Sequence, residues 1–345
     1  MKDKMKAAVQ LRKGSPTSDK VLLVKDDVPI PTLRKGEILI KVAASAINPL
    51  DWKVILGIFP LRKSGLVGVD ASGTVEKIAE GTKTDLKVGD KVYGDPGETN
   101  PGSFAEYMRI RADNAARIPR NLNFVQAASL PAVGLSAIQG LLKSGKLKPG
   151  HKVCITGGSG GVGSIAIQVA KTMGASEIWA TGSSVEFIKA LGADYVINYK
   201  EESVFDALKG KQFDIIFDTV GGIDQWKAAQ EGGLKKGGKY VTTAGDCDHS
   251  IFNLIKNWGW RYLKYKLGLG IHYTFFRVKT SPPDVAQDMK ILTELVEAEQ
   301  VKPVIVPRSF ELTTESLHAM MEASMSNRSK GKLVMKINQK YSSKL

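Results

Sequence analysis

The stretch Lys152-Val-Cys-Ile-Thr-Gly-Gly-Ser-Gly-Gly-Val-Gly-Ser164 joins an apolar run of strand character to a cluster of glycines. A helical pattern of apolar residues follows between Ser164 and Met173. Gly158, Gly161 and Gly163 fit G-x-x-G-x-G, a variant of the dinucleotide-binding fingerprint, in the strand–turn–helix context that the fingerprint requires. Such glycines permit a tight turn and close backbone approach, and the free N–H groups of the helix start bind phosphates. The sequence therefore predicts a nucleotide site at this turn.

Hydrophobic patterning divides the chain into two kinds of segment. Residues 1–129 carry short alternating runs separated by turn residues, which is typical of β-rich structure. Over residues 130–279 strand patterns alternate with helical patterns, which predicts parallel β-α-β units. The last strand of that block is predicted over 272–278, and a helix over 284–299 precedes two more strands.

The charge balance is strongly basic, with 49 lysines and arginines against 35 acidic residues and a formal net charge of +14. Because the basic residues are spread along the chain, we interpret the charge as a solvated surface, with anionic ligands as the alternative and no nucleic-acid partner. The charged start Met1–Lys6 does not resemble a signal peptide, and no apolar run of about 20 residues predicts a transmembrane helix. Two cysteines, Cys154 and Cys247, indicate a reducing compartment.

The sequence contains no cluster of potential metal ligands. A catalytic zinc requires clustered ligands, whereas the cysteines are isolated and the histidines are scattered over positions 151, 249, 272 and 318. Neither a G-x-S-x-G elbow nor G-K-[ST] after the glycines is present, which argues against a hydrolase and a P-loop NTPase. We therefore predict no metal site.

The segment Trp179-Ala-Thr-Gly-Ser-Ser184 bears on the choice of nucleotide. In dinucleotide folds an acidic residue about 20 positions after the glycines binds the ribose 2′-hydroxyl of NAD. The corresponding residue here is Ser183, and the first acidic side chain is Glu186, in the next helical pattern. A hydroxyl can donate a hydrogen bond to a 2′-phosphate, whereas a carboxylate repels it. The sequence therefore favours NADP. The alternative is that Glu186 reaches back to the ribose.

Residues 251–279 combine six basic and eight aromatic side chains with no acidic residue. One interpretation is weak contact with a membrane surface. We favour the other, in which the segment covers a substrate pocket and runs into a buried strand at the interface of a homodimer.

The last three residues, Ser343-Lys344-Leu345, match the peroxisomal address S-K-L. We expect the peroxisomal import receptor to bind them, and a cytosolic location if this tail is not read.

Eight motifs in order show that the chain resembles the zinc-free medium-chain dehydrogenases/reductases, in the branch of the quinone oxidoreductases and the enone and alkenal reductases. They are Gly36–Val42, Ile47–Lys53, Gly68–Val75, Val88–Val92, Gly102–Tyr107, Ala127–Pro131, Gly160–Gly163 and Leu191–Tyr199. Zinc-containing members carry a ligand cysteine near Asn48 and a His-Glu pair near Val69-Asp70, so the resemblance also implies a zinc-free protein.

The resemblance implies an α/β protein of two domains. A GroES-like β-barrel catalytic domain would comprise residues 1–129 and 280–345, and a Rossmann domain with a doubly wound parallel sheet would bind NADP (NADPH) over 130–279. The cofactor-binding residues that it implies are Ser136, Ser159, Gly160, Gly161, Val162, Thr181, Ser183, Tyr199, Asp218, Val220, Ala244, Gly245, Phe276, Val278 and Lys332.

The activity implied is hydride transfer from NADPH to a quinone or to the C=C bond of an α,β-unsaturated carbonyl, on a small hydrophobic substrate. Without a metal, another group must stabilise the oxyanion that forms, and Lys53 is our first candidate, with Asn48 assisting. Asp51 is expected to order the loop or to pair with Lys53. Two alternatives without significant turnover stay open, an NADPH-binding redox sensor and a peripheral membrane protein.

Overall fold

The chain forms two compact units in a computed structural model that describes residues 3–59, 64–97, 102–244, 259–261, 263–268, 270–281 and 284–338. Unit 1 comprises Met1–Leu135, Lys279–Glu299 and Pro303–Leu345, and unit 2 comprises Ser136–Val278 and Gln300–Lys302. The boundaries drawn from the sequence, 129/130 and 279/280, lie close to these. Gly245 and the tail 343–345 are outside the described residues, as is most of the first half of the basic aromatic segment 251–279.

Unit 1 is built on a seven-stranded, mainly antiparallel sheet with a separate two-stranded ribbon. The strands are β1 (Lys4–Gln10), β2 (Leu22–Pro29), β3 (Glu37–Ala46), β4 (Asp70–Ile78), β5 (Lys91–Gly94), β6 (Tyr107–Arg111), β7 (Ala115–Arg117), β14 (Ile305–Glu311) and β15 (Lys332–Lys336). Strand β3 pairs antiparallel with three neighbours, β4, β6 and β15, and nearly all of its residues are buried.

Helices connect or cover these strands. In unit 1 they are α1 (Pro49–Leu56), α2 (Phe124–Ala128), α8 (Asp284–Glu297) and α9 (Thr314–Met325), and α3 (Pro131–Ile138) runs across the unit boundary. Proline at the first position of α1 has a fixed φ that suits a helix start, and Gly57 ends the helix with a φ of +88° that disfavours other residues. The sequence patterning of residues 1–129 did not predict α1 or α2.

Unit 2 contains a parallel sheet flanked by helices. The elements are β8 (Lys152–Ile155), β9 (Glu177–Thr181), β10 (Tyr195–Ile197), β11 (Phe213–Asp218), β12 (Leu234–Thr242) and β13 (His272–Phe275), with α4 (Gly161–Thr172), α5 (Val185–Ala190), α6 (Val204–Leu208) and α7 (Ile223–Ala228). The six strands are in the order β10-β9-β8-β11-β12-β13. Central strand β11 is buried at every position, as expected for a strand covered on both faces.

Two boundaries in unit 2 differ from the sequence prediction. Helix α4 begins at Gly161, three residues before the apolar pattern starts at Ser164, because its first turn is made of glycines and Val162. Strand β13 ends at Phe275, whereas a strand through Val278 was predicted, because its partner β12 ends opposite Phe275 at Thr242. In the described part of the chain no helix is long and apolar enough to cross a membrane.

Candidate active site

The turn between β8 and α4 depends on glycine at specific positions. Gly157 has a φ of +69°, in the left-handed region that favours glycine. A Cβ at Gly163 would lie 2.2 Å from the carbonyl oxygen of Gly157, so the helix start and the turn touch backbone to backbone. Helix α4 thus begins directly behind the turn, with the N–H groups of its first residues unpaired within the helix. This cradle fits the pyrophosphate of a dinucleotide.

Threonines hold the turn on both sides. The Thr181 hydroxyl, at the end of β9, accepts the N–H of Gly157 at 3.0 Å, and the Thr181 carbonyl accepts the N–H of Gly158 at 2.8 Å. The buried Thr156 hydroxyl donates to Asp218 at 2.7 Å and accepts the N–H of Thr219 at 2.9 Å. Thr181, which the resemblance assigned to cofactor binding, is therefore a structural support of the turn.

Asp218, at the end of β11, is 1% exposed and accepts five hydrogen bonds within unit 2. Oδ1 accepts from Thr156 and from the N–H groups of Val220 and Gly221, at 2.7–3.1 Å. Oδ2 accepts from the hydroxyls at the end of β12, which are Tyr240 and Thr242, both at 3.0 Å. These bonds use the acceptor sites of the carboxylate, so Asp218 fixes the strand ends on which a cofactor would rest.

Tyr240 connects this carboxylate to an aromatic cluster. Its ring lies 5.2 Å from that of Trp226 and 5.6 Å from that of Tyr273, and the Arg261 guanidinium stacks on Trp226 at 4.5 Å. Burial, followed by the charge of Asp218, raises the pKa of Tyr240 well above its ordinary value. The hydroxyl therefore stays protonated and remains a donor to Asp218.

Polar side chains gather beyond β9, where the sequence predicted the 2′-phosphate. Tyr199 is 56% exposed and its hydroxyl donates to Ser183 at 3.5 Å. Glu186 lies in α5 and pairs with Lys189 at 3.6 Å. The structure therefore brings Ser183 and Tyr199 together, and Glu186 has a partner on its own helix.

The other predicted cofactor residues of unit 2 are dispersed over several elements. Ser159 and Gly160 lie in the glycine turn, and Gly161 and Val162 open α4. Ser136 is buried in α3, and the exposed Val220 follows β11. The N–H of Ala244 donates to Thr242 at 3.2 Å, the Phe276 ring lies 6.1 Å from that of Phe217, and Val278 is half-buried beyond β13.

A buried polar cluster in unit 1 contains Lys332, Asn48 and Asp70. The Lys332 ammonium, in a residue 5% exposed, donates to the Ile47 carbonyl at 2.8 Å, to Asn48 Oδ1 at 2.7 Å and to Asp70 Oδ2 at 3.1 Å. The Asn48 amide in turn donates to Asp70 Oδ2 at 2.9 Å. Asp70 Oδ1 accepts the N–H of Ala132 at 2.8 Å, at the start of α3.

Asp51 and Lys53 lie on α1, directly after this cluster. The buried Asp51 carboxylate accepts the backbone N–H of Asn48 at 2.9 Å, and the Asp51 N–H donates to the Asn48 carbonyl at 2.9 Å. Asp51 therefore orders the start of the helix, one of the two roles expected for it. Lys53 is half-buried, with Nζ 5.6 Å from the centre of the Trp52 ring.

Neither a metal cluster nor a reactive thiol is found in the part of the chain that is described. No group of three or more His, Cys, Asp or Glu there is placed to hold a metal ion. Cys154 is fully buried in β8, and burial raises the pKa of its thiol far above the ordinary value.

Sequence reasoning missed four residues of these networks, Asp70, Thr156, Tyr240 and Thr242. Asp70 was noted only as a position where zinc-containing relatives have a ligand. The only local signal for Thr156 and Thr242 was their place near the carboxyl ends of predicted strands, where α/β sheets bind ligands. Tyr240 lay near the start of its predicted strand and carried no such signal.

Two family descriptions match the chain. The alcohol dehydrogenase GroES-like domain matches residues 34–120, and the zinc-binding dehydrogenase family matches residues 191–335. The first match confirms the predicted GroES-like domain.

Individual relatives extend over most of the sequence. The chain is 34% identical to the chloroplastic NADPH-dependent alkenal/one oxidoreductase of Arabidopsis thaliana, over 84% of this chain and 69% of that protein. It is 41% identical to the 2-methylene-furan-3-one reductase of Solanum lycopersicum, over 62% of this chain but only 57% of that protein. The quinone oxidoreductase from Coxiella burnetii is 31% identical, with a TM-score of 0.81 over 97% of this chain and 100% of that structure.

Proposed function

Because the chain belongs to the zinc-free quinone and enone oxidoreductase branch of the medium-chain dehydrogenases/reductases, we propose that it uses NADPH to reduce quinones or the C=C bond of α,β-unsaturated carbonyls. It is an oxidoreductase with a nicotinamide cofactor. The observation that carries the proposal is the glycine turn of unit 2, whose backbone is packed too closely for any side chain at Gly163. The names of the alkenal/one oxidoreductase and the furanone reductase support the substrate class.

Different residues of unit 2 would bind different parts of the cofactor. The N–H groups at the start of α4 would hold the pyrophosphate, and Ser183 with Tyr199 would hold the 2′-phosphate. When bound, the nicotinamide supplies a hydride to the β-carbon of an enone or to a quinone. Hydrogen-bond donors of the chain, with Lys53 as the first candidate, would then stabilise the resulting oxyanion.

The experiment that tests this function is a screen for NADPH oxidation. Purified protein is assayed with alkenals, enones and 9,10-phenanthrenequinone, each with NADPH and with NADH. We expect turnover of at least one class and a higher kcat/KM with NADPH. Tight NADPH binding without oxidation across the whole panel would contradict the proposal and favour a redox-sensing protein.

The preference for NADPH is tested at Ser183. A carboxylate at this position repels a 2′-phosphate and accepts a ribose 2′-hydroxyl. Ser183→Asp is therefore expected to lower kcat/KM for NADPH about 10- to 100-fold and to change that for NADH much less. Ser203→Asp, a serine that caps α6, is the matched control. Equal losses for both nucleotides at Ser183 would show that this residue does not bind the phosphate.

The role of Lys53 is tested by truncation. We propose that its ammonium donates to the developing oxyanion, and loss of such a donor typically costs about 10²-fold in kcat. Lys53→Ala is expected to lower kcat by this amount and to leave the dissociation constant for NADPH within about twofold. The control is Lys77→Ala, an exposed lysine of β4. Unchanged turnover of an enone by Lys53→Ala would remove Lys53 from the mechanism.

A further inference from the structure

The buried ammonium of Lys332 has a complete set of hydrogen bonds inside unit 1. An ammonium has three N–H donors, and three acceptors surround this one, the Ile47 carbonyl, Asn48 Oδ1 and Asp70 Oδ2. None of these donors is left for a nucleotide. We infer that Lys332 is a positioning residue, which fixes the side-chain amide of Asn48 as a hydrogen-bond donor toward the substrate oxygen.

The orientation of the Asn48 amide follows from its two neighbours. An ammonium only donates and a carboxylate only accepts, so Oδ1 must face Lys332 and Nδ2 must face Asp70, as observed at 2.7 and 2.9 Å. A flipped amide would set N–H groups against an ammonium and an oxygen against a carboxylate. The amide carbonyl is thereby occupied, and the second N–H of Nδ2 finds no partner in the described part of the chain.

The second N–H of Asn48 Nδ2 determines whether the amide can donate a hydrogen bond to a substrate oxygen. An amide free to rotate offers a substrate oxygen either a donor or an acceptor, and an acceptor would destabilise an oxyanion. Here the acceptor end is taken by a cation that is itself neutralised by Asp70. The cluster therefore presents a preorganised donor, the kind of group that stabilises developing negative charge. This inference rests on the proposed function and assigns Lys332 a part in it.

Hydrogen bonds from β15 and from α1 also fix the backbone that leads into α1. The Ile47 carbonyl is held by Lys332, and the N–H of Asn48 is held by Asp51 in the first turn of α1. The backbone of Ile47 and Asn48 is thus fixed from strand β15 on one side and from α1 on the other. Loss of the ammonium would remove the hydrogen bond that holds the amide oxygen and one of the hydrogen bonds that fix the entry to the helix that carries Lys53.

A double-mutant cycle tests the inference. Lys332→Met and Asn48→Ala are each expected to lower kcat about 10- to 100-fold, since small displacements of a catalytic group have effects of this size. If Lys332 acts through Asn48, the double variant is no slower than the slower single variant. Lys332→Arg, which keeps the charge and the donors, is expected to recover part of kcat. The dissociation constant for NADPH is expected to stay within about twofold in each variant.

Controls separate positioning from folding. Lys332→Met leaves the buried Asp70 charge without its cation, so the paired variant Lys332→Met/Asp70→Asn removes both charges while the introduced amide carbonyl still accepts from Asn48. It is expected to fold and to show the same low kcat. Lys336→Met, in the same strand, is the matched control and is expected to keep full activity. Losses that multiply in the cycle, or NADPH affinity that falls in Lys332→Met, would overturn the inference.

A readout without turnover distinguishes this inference from the proposed function. The exchange of the Asn48 side-chain NH₂ hydrogens with solvent is measured in ¹⁵N-edited NMR spectra. Because Lys332 fixes the orientation of the amide in the wild type, this exchange is expected to be at least about tenfold slower there than in Lys332→Met. If no substrate of the panel is reduced, the proposed function fails while this exchange rate still decides the role of Lys332. Equal exchange rates in the two proteins would refute the positioning role.

Discussion

Replacing Asp218 by alanine is expected to lower the free energy of unfolding by about 3–5 kcal/mol, the cost typical of breaking a buried, charged hydrogen-bond network. Asp218 accepts from five groups, which lie on β12, directly after β8 and in the turn after β11. Its removal takes one acceptor from the buried hydroxyls of Thr156 and Thr242 and opens a cavity at the carboxyl end of the parallel sheet. Chemical denaturation followed by fluorescence would measure the loss.

Two further variants show whether the loss of stability in Asp218→Ala comes from the hydrogen-bond network. Asp218→Asn keeps the shape but places an NH₂ group against hydroxyl or N–H donors, so an intermediate loss is expected. Asp224→Ala, at an exposed aspartate of α7, is the matched control and should change the free energy of unfolding by less than about 1 kcal/mol. An Asp218→Ala protein as stable as the control would contradict the assignment of Asp218 as the support of these strand ends.

The same carboxylate shows what the sequence could and could not predict. Strand β11 and its end at Asp218 were predicted correctly, because a continuous apolar run bounded by turn residues is a local signal. The donors that surround Asp218 were not, since Thr156 is 62 residues away and Thr242 is 24 residues away. A role for Asp218 in cofactor binding was implied by the resemblance, and the hydrogen bonds add a structural role that no local pattern contains.

Unit 1 contains contacts over a longer sequence separation that the sequence did not predict either. Lys332 was assigned to the cofactor by the resemblance, but its ammonium donates to Asn48 and Asp70 across separations of 284 and 262 residues. Pairing at such distances depends on the register of β15 against β3, which side-chain alternation alone does not determine. Helix α1 was missed for a different reason. It has eight residues, and its apolar side chains are not confined to one face.

The glycine turn, by contrast, was predictable because its requirement is local. The pattern identified Gly158, Gly161 and Gly163. In the structure, the glycines of this turn differ in how much space an added Cβ would have. A Cβ at Gly158 would lie 3.1 Å from Ala180 Cβ and from Ile188 Cγ2, contacts that shifts of a few tenths of an ångström would relieve. Gly157, outside the predicted spacing, is required for its positive φ. Gly163 is the most restricted, because the atoms in its way belong to the backbone.

Gly163→Ala is therefore expected to abolish measurable NADPH binding, with a dissociation constant raised by at least about 10³-fold, or about 4 kcal/mol. The added methyl group would lie 2.2 Å from the Gly157 carbonyl oxygen and 3.0 Å from Gly158 Cα, and no side-chain rotation relieves either contact. The turn must move away from α4, which displaces the N–H groups that hold the pyrophosphate. Fluorescence titration with NADPH measures the affinity, and circular dichroism establishes that the variant is folded.

Gly160→Ala separates the effect of a methyl group in the turn from the effect of the backbone clash. Its Cβ would lie 3.3 Å from the same Gly157 oxygen, at a position with an extended backbone that alanine adopts readily. Overpacking at Gly163 is expected to lower the free energy of unfolding by about 2–3 kcal/mol, and the change at Gly160 should stay below about 1 kcal/mol. If Gly163→Ala bound NADPH within about tenfold of the wild type, the contact of Gly163 with Gly157 would not be what forms the phosphate cradle, and the nucleotide site would have to lie elsewhere in unit 2.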